Sequence, residues 1–253
     1  MLHLNNITKI FNKGTVNEKV ALNDFSLHLK SGDFLTVVGG NGSGKSTMLN
    51  IIAGLLTIDK GSITIDGKDV TKLPEHKRAF LLGRVFQDPM MGTAPHMTIE
   101  ENLALAMRRG KMRTLRLGNS KTERKVYRDV LAQLNLGLED RMKTQVGLLS
   151  GGQRQALTLL MATLHSPNLL LLDEHTAALD PKTAKTVLEL SEQIVGSKHI
   201  TTIMITHNMK DAIKYGNRVI MMDSGQIIFD AAGEEKQKLS AKDMLEMFST
   251  LPN

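Results

Sequence analysis

The sequence predicts an α/β protein, and three observations carry that reading. Short, largely apolar runs at Phe34–Val38, Leu169–Leu172 and Ile200–Ile205 read as buried strands. Stretches with helical periodicity and start signals alternate with them. A glycine loop, Gly39-x4-Gly44-Lys45-Ser46, follows the first of these strands and leads into the helical run Met48–Ala53.

That loop is a phosphate-site pattern in the context it needs. Its glycines let backbone N–H groups curl around an anion without Cβ clashes. The helix start adds N–H groups and its dipole. Lys45 supplies a full positive charge, Ser46 a hydroxyl for Mg²⁺, and Thr47 a reach to a neighbouring phosphate.

At 253 residues, 41% of them hydrophobic, the chain has the length for one large α/β domain or a domain with an inserted subdomain. No apolar run approaches the ~18 residues of a spanning helix. The first residues, Met1–Asn6, show neither a basic region nor an apolar region of a secretory signal. Cysteine is absent, which removes disulfides, thiol catalysis and cysteine-bound zinc together. A soluble protein of a reducing cytoplasm is the expectation. The net charge of +6 is local: Arg108–Arg128 holds nine Lys/Arg and one acid, so the other 232 residues total −2. A solvated charged face is the favoured reading of that segment.

Taken in order, residues 1–30 read as short β pieces: Leu2–Leu4, Val20–Leu22 and Phe25–Leu29, with a turn-rich insert at Asn12–Thr15. Phe11, just before the insert, suits either stacking on an adenine or the edge of a small core. Gly54 ends the helix after the glycine loop. Gly61–Lys68 reads as a hairpin strand closing at Asp66-Gly67. Pro74 opens a short helix, and Gly83–Phe86 is another buried strand. It delivers Gln87 into the loop Asp88–Met97, whose two prolines and three methionines suit a re-packable contact surface.

Residues 98–148 turn mostly helical. Thr98/Glu101 and Ser120/Glu123 are capping boxes, and Val126, Val130, Leu131 and Leu134 form an apolar stripe. Leu149-Ser150-Gly151-Gly152-Gln153 follows. Ser150 and Gln153 are again spaced as a capping box, and the two glycines make a second candidate anion site at a helix start. The strand Leu169–Leu172 ends in Asp173 and Glu174, at the sheet edge where α/β proteins bind ligands. Asp173 is placed to hold Mg²⁺ through water and Glu174 to polarise an attacking water. Asp180 and Pro181 are the cap and first residue of a helix over 181–195. His207 ends the next strand in the same relative place as Glu174, a position for a γ-phosphate contact. Arg218–Met222 and Gln226–Phe229 form a hairpin, and Ser240–Leu251 one surface helix.

Together these residues resemble the nucleotide-binding subunit of an ATP-binding cassette (ABC) transporter, from about Leu2 to Phe248. Leu149–Gln153 matches the family signature, Gly39–Thr47 the Walker A loop, and Leu169–Glu174 the Walker B strand with its catalytic glutamate. Gln87 resembles the Q-loop glutamine that contacts Mg²⁺ and the attacking water, Ala178–Asp180 the D-loop, His207 the switch histidine, and Phe11 the adenine-stacking aromatic.

The fold so implied is a P-loop NTPase core with mixed sheet, an N-terminal antiparallel β subdomain and an inserted α-helical subdomain. The domain would run over 1–253, with the core and β subdomain at about 1–97 and 149–253 and the helical subdomain at about 98–148.

The resemblance implies a catalytic set of Glu174, His207, Gln87 and Lys45. ATP would be held by Phe11, Gly39, Asn41, Gly42, Ser43, Gly44, Lys45, Ser46 and Thr47. From a second copy, Ser150, Gly151, Gly152 and Gln153 would complete the site, and Asp180 would also count among the nucleotide-binding residues. Mg²⁺ would meet Ser46, Gln87 and Asp173. It further implies an ATP-sandwich homodimer and an integral membrane permease docking near Gln87–Met97. The subunit would sit at the cytoplasmic face of the membrane, with no nucleic acid expected. The run Gln87–Pro95 is similar to importer ATPases that work with a substrate-binding lipoprotein and take up amino acids or related solutes. An exporter ATPase is the alternative, and an ABC ATPase acting on nucleic acid or ribosomes a more distant one. Two departures stand out: His175 occupies the place of the family's usual proline, and the helix after the signature lacks the common Ala-Arg-Ala pattern.

Overall fold

The computed structural model describes residues 1–109 and 120–249. Lys111, Arg113 and Arg116 of the basic segment, and the expected helix end at Leu251, lie outside the described residues. In chain order the elements begin β1 (Leu2–Phe11), β2 (Lys19–Leu29), β3 (Phe34–Gly39), α1 (Lys45–Ala53), β4 (Lys60–Ile65), β5 (Lys68–Asp69), α2 (Glu75–Arg78) and β6 (Leu82–Val85). They continue α3 (Ile99–Met107), α4 (Lys121–Ala132), α5 (Gly151–Thr163), β7 (Leu169–Asp173), α6 (Pro181–Lys198) and β8 (Thr201–Ile205). The last are α7 (Met209–Lys214), β9 (Arg218–Asp223), β10 (Gln226–Ala232), α8 (Glu234–Gln237) and α9 (Ala241–Ser249).

Two compact units divide the chain, one from Met1–Leu82 with His199 onward, the other Gly83–Lys198. In the first, an antiparallel sheet has the order β2-β1-β4-β5. Its first two strands run unbroken where the sequence suggested separate pieces. Register shifts absorb the polar interruptions: β1 slips between Leu4 and Ile7, and Asn6 and Asp24 take positive φ. Asn6 Nδ2 donates to Asp24 Oδ1 at 2.8 Å, so the two bulged residues satisfy each other. In a second sheet of this unit, β3 lies between β8 and β9, parallel to both, and β10 adds antiparallel to β9. Val38, Ala212, Val219, Met221 and Met244 pack against one another beside it.

α1 leaves β3 through the glycine loop, and its far end is held by a buried cation. Arg78 is 2% exposed, and it donates to the carbonyls of Ile51, Ile52, Leu73 and Thr71 at 2.7–3.1 Å. A guanidinium here complements the negative end of α1.

The second unit is mostly helical. Its core gathers Ile99, Leu103, Tyr127, Leu131, Leu134, Leu138, Val146, Ala156, Leu157 and Leu160 from α3, α4, α5 and the connecting segments. The capping boxes of α3, α4 and α5 all form. The apolar stripe of α4 is corrected at one position: Val126 is 41% exposed, while Tyr127 and Leu131 are fully buried. The larger ring removes more apolar area from water, and the helix presents that face. Two cations of the basic segment cross-link helices rather than face solvent alone. Arg124 grips the buried Glu100 through Nε and Nη2 at 2.9 and 3.1 Å, and Arg108 pairs with Glu123. The Met/Pro loop is not irregular throughout. Pro89–Gly92 forms a 3-10 turn capped by Asp88, and Met91 stays exposed on it.

Candidate nucleotide site

In the first unit the phosphate loop is built around a buried ammonium. Lys45 is 5% exposed, and its Nζ donates to Gly39 O and Gly40 O at 2.8 Å each and to Ser43 Oγ at 3.4 Å. The carbonyls hold the charge across the loop it serves. α1 begins after Gly44 with no side-chain cap, so its positive end is not masked by a carboxylate or hydroxyl. Gly39 is required where it stands: φ is +155° and a methyl group there would lie 2.3 Å from Met222 O. Ser46 and Asn41 are exposed and Thr47 is half-buried. An ammonium beside an uncapped helix start is a donor set that fits a polyphosphate.

Other groups of this unit share that sheet edge. β3 and β8 are parallel and paired through Val37 and Ile205, so the glycine loop and the exposed His207 leave from the same ends. Phe11, half-buried, pairs across the ladder with Lys19. Lys19 Nζ in turn lies 3.4 Å from where a Cβ of Gly42 would stand. Phe11 thus lies across the ladder from the lysine that reaches the loop. Lys19 is a cation that sequence reading missed. Its only linear signal is a lysine opening a strand, and that is unremarkable until the register is known.

In the second unit β7 ends in Asp173, whose Oδ2 accepts from Arg84 Nη2 of β6 at 3.2 Å. The Arg84 guanidinium also lies 4.6 Å from the centre of the Phe86 ring. This pair was likewise missed, although an arginine inside the apolar run Gly83–Phe86 was a visible signal. Glu174 follows with φ +47° and is half-buried. His175 is 2% exposed, its Nε2 is 3.1 Å from Ser191 Oγ, and burial pushes its pKa down to about 4. At neutral pH this ring is uncharged. Gln87 is exposed just beyond β6.

The signature segment starts α5 with Ser150 as its cap, and Gln153 completes the box. Gly152 is fixed by packing: a methyl group there would stand 2.1 Å from Thr183 Cγ2 of α6. Gly151 and Ser150 remain exposed. Asp180 accepts from Thr183 N at 3.1 Å, as the cap reading required, and hydrogen bonds from Thr183 hold its carboxyl below the usual range. Within the second unit, the carboxylate of Asp173 and the amide oxygen of Gln87 are hard oxygen donors of the kind that suits Mg²⁺, and within the first unit so is the exposed hydroxyl of Ser46.

The fold and these motifs define an ATP-binding cassette. The family profile described as ABC transporter matches residues 22–177, and the chain belongs to that family. It is an ATPase cassette. Over 249 residues it is 44% identical to the tyrosine transport ATP-binding protein of Clostridioides difficile, covering 98% of both chains. Over 236 residues it is 35% identical to the spermidine/putrescine import ATP-binding protein PotA of Haemophilus influenzae, covering 93% of this chain but 59% of that one. Among solved structures, a dimeric ATP-binding cassette in a post-hydrolysis state with ADP and Pi aligns with TM-score 0.77 at 29% identity, covering 92% of this chain and 98% of that one. An ABC transporter cassette in its ADP conformation aligns with TM-score 0.80 at 27% identity, covering 99% of each. Among the described residues no helix is long and apolar enough to cross a membrane.

Proposed function

We propose that this cassette binds ATP with Mg²⁺, closes head to tail on a second copy, and drives a separate membrane permease in the uptake of a small solute such as an amino acid. The observation that carries the import reading is the full-length likeness to a tyrosine transport ATP-binding protein. The polyamine import relatives support the direction of transport. In this reading Lys45 and the amides of Gly42–Thr47 bind the phosphates, and Phe11 stacks on the base. Ser46, Gln87 and Asp173 hold Mg²⁺, directly or through water. Glu174 takes the proton of the attacking water and His207 contacts the γ-phosphate. Ser150 and Gly152 of a second copy complete the phosphate shell, with Gly151, Gln153 and Asp180 beside them. Gln87–Met97 offers the permease its contact surface, which makes the protein peripheral to the membrane, with a substrate-binding lipoprotein supplying the solute.

The test has two arms. Glu174→Gln should bind ATP, lose turnover and accumulate as a dimer, and a monomer in saturating ATP would overturn the head-to-tail reading. Vesicles carrying the cassette on the lumenal side of a partner permease should accumulate labelled tyrosine only with ATP on the cassette side. Tyrosine carried from the cassette side into the opposite compartment would establish an exporter instead.

A further inference from the structure

The residue after Glu174 departs from the family's usual proline, and the structure gives it a specific attachment. His175 is buried, and its Nε2 lies 3.1 Å from Ser191 Oγ, in the middle of α6. Ser191 Oγ in turn donates to Val187 O at 2.8 Å. With the serine hydrogen committed to that carbonyl, Oγ is left to accept, so the imidazole donates through Nε2–H. The bond has a fixed direction.

Glu174 itself holds φ +47°, a region that non-glycine residues seldom occupy and that persists where surroundings over-determine it. The connection from Glu174 to α6 is a short chain of turns, with Ala177 N donating to Glu174 O and Leu179 N to Thr176 O. Asp180 ties the far end of that connection to the first turn of α6. His175 ties the near end to the same helix about two turns further on. The carboxylate-bearing residue is thus clamped between a strand end and a helix by its neighbour's side chain.

We propose that His175 is a positioning residue for Glu174, its ring anchored on Ser191 so that the backbone carrying the carboxylate keeps its left-handed turn. This rests on the reading of Glu174 as the base that activates water. A proline stiffens a backbone through its own ring; here a side-chain hydrogen bond to α6 does that work. Its loss should therefore displace the carboxylate without touching the phosphate loop.

Steady-state ATPase assays on the full chain with Mg²⁺ test this. His175→Leu fills the buried space but cannot donate, and should lower kcat by about tenfold or more while KM for ATP changes less than about twofold. Ser191→Ala should do the same, and the double variant should be no worse than either alone. His175→Gln, whose amide N–H can reach Ser191, should restore kcat to within about threefold of the parent. Thermal unfolding run alongside separates positioning from folding, since a structural role alone would lower Tm in H175L and H175Q together without a selective loss of kcat. That pattern, or an unchanged kcat in H175L, overturns the proposal. Turnover retained in Glu174→Gln would overturn the base assignment and this proposal with it. Full loss in Glu174→Gln beside a normal H175L overturns the positioning role alone.

Discussion

Replacing Arg78 by methionine removes the cation that closes the far end of the phosphate-loop helix. Arg78→Met keeps a long apolar side chain in the buried site and deletes four donated hydrogen bonds. Ile51 O retains the N–H of Gly54, at 3.1 Å. The carbonyls of Ile52, Leu73 and Thr71 lose a guanidinium donor. At about 1 kcal/mol for each acceptor so deprived, the loss is about 3 kcal/mol. The desolvation cost of the guanidinium, which burial already expresses by lowering the Arg78 pKa, offsets part of a larger gross term and keeps the figure near that value. For a chain of this size about 3 kcal/mol corresponds to a fall in Tm of about 6–12 °C. Urea unfolding followed by far-ultraviolet circular dichroism, with and without saturating ATP, reads it directly. A variant within about 0.5 kcal/mol of the parent would show that the buried charge cancels its own hydrogen bonds, and the account of α1 would be wrong.

Two further outcomes follow from particular groups. His175 has a folded pKa of about 4 against the ordinary 6.5, so between those values the unfolded chain takes up a proton that the folded chain refuses. Its contribution is complete above pH 6.5, declines as pH falls towards 4, and amounts to about 3 kcal/mol across the window. Urea unfolding at pH 7 and pH 5 should show about 2 kcal/mol of excess loss in the parent relative to His175→Leu, and parallel curves would refute it. Lys19→Ala should raise KM for ATP about threefold with kcat unchanged, and the difference should shrink at high salt, because an exposed ammonium beside Gly42 acts through a screened field. A salt-independent change in kcat would remove Lys19 from the phosphate contacts.

Much of the site could be read linearly because its chemistry depends on local geometry. A glycine loop between a strand and a helix, a serine three residues before a glutamine, and two carboxylates at a strand end need only a few consecutive residues to declare themselves. The Asp66-Gly67 hairpin and the Asp180 cap were legible for the same reason. The N-terminal strands were less so. Asn5, Asn6 and Asp24 look like strand breakers, and only the pairing of two bulges lets the ladder run through them. Val126 was misplaced because periodicity assigns a face only to within a residue, and Tyr127 competed for the same stripe.

By itself, then, the sequence determined the alternation of strands and helices, the phosphate loop, the carboxylates after β7 and the likeness to ABC cassettes. Each is written in neighbouring residues whose backbone geometry is short-range. What only the tertiary structure decided involves partners far apart in the chain. Lys19 reaches Gly42 by strand register, Arg78 reaches Ile51 across two elements, and Arg84 meets Asp173 between neighbouring strands. His175, a bare departure from the family pattern in the linear text, acquires its meaning from Ser191, sixteen residues on. Hydrogen bonds and ion pairs form where the fold brings donor and acceptor within about 3 Å, and no local pattern encodes that distance.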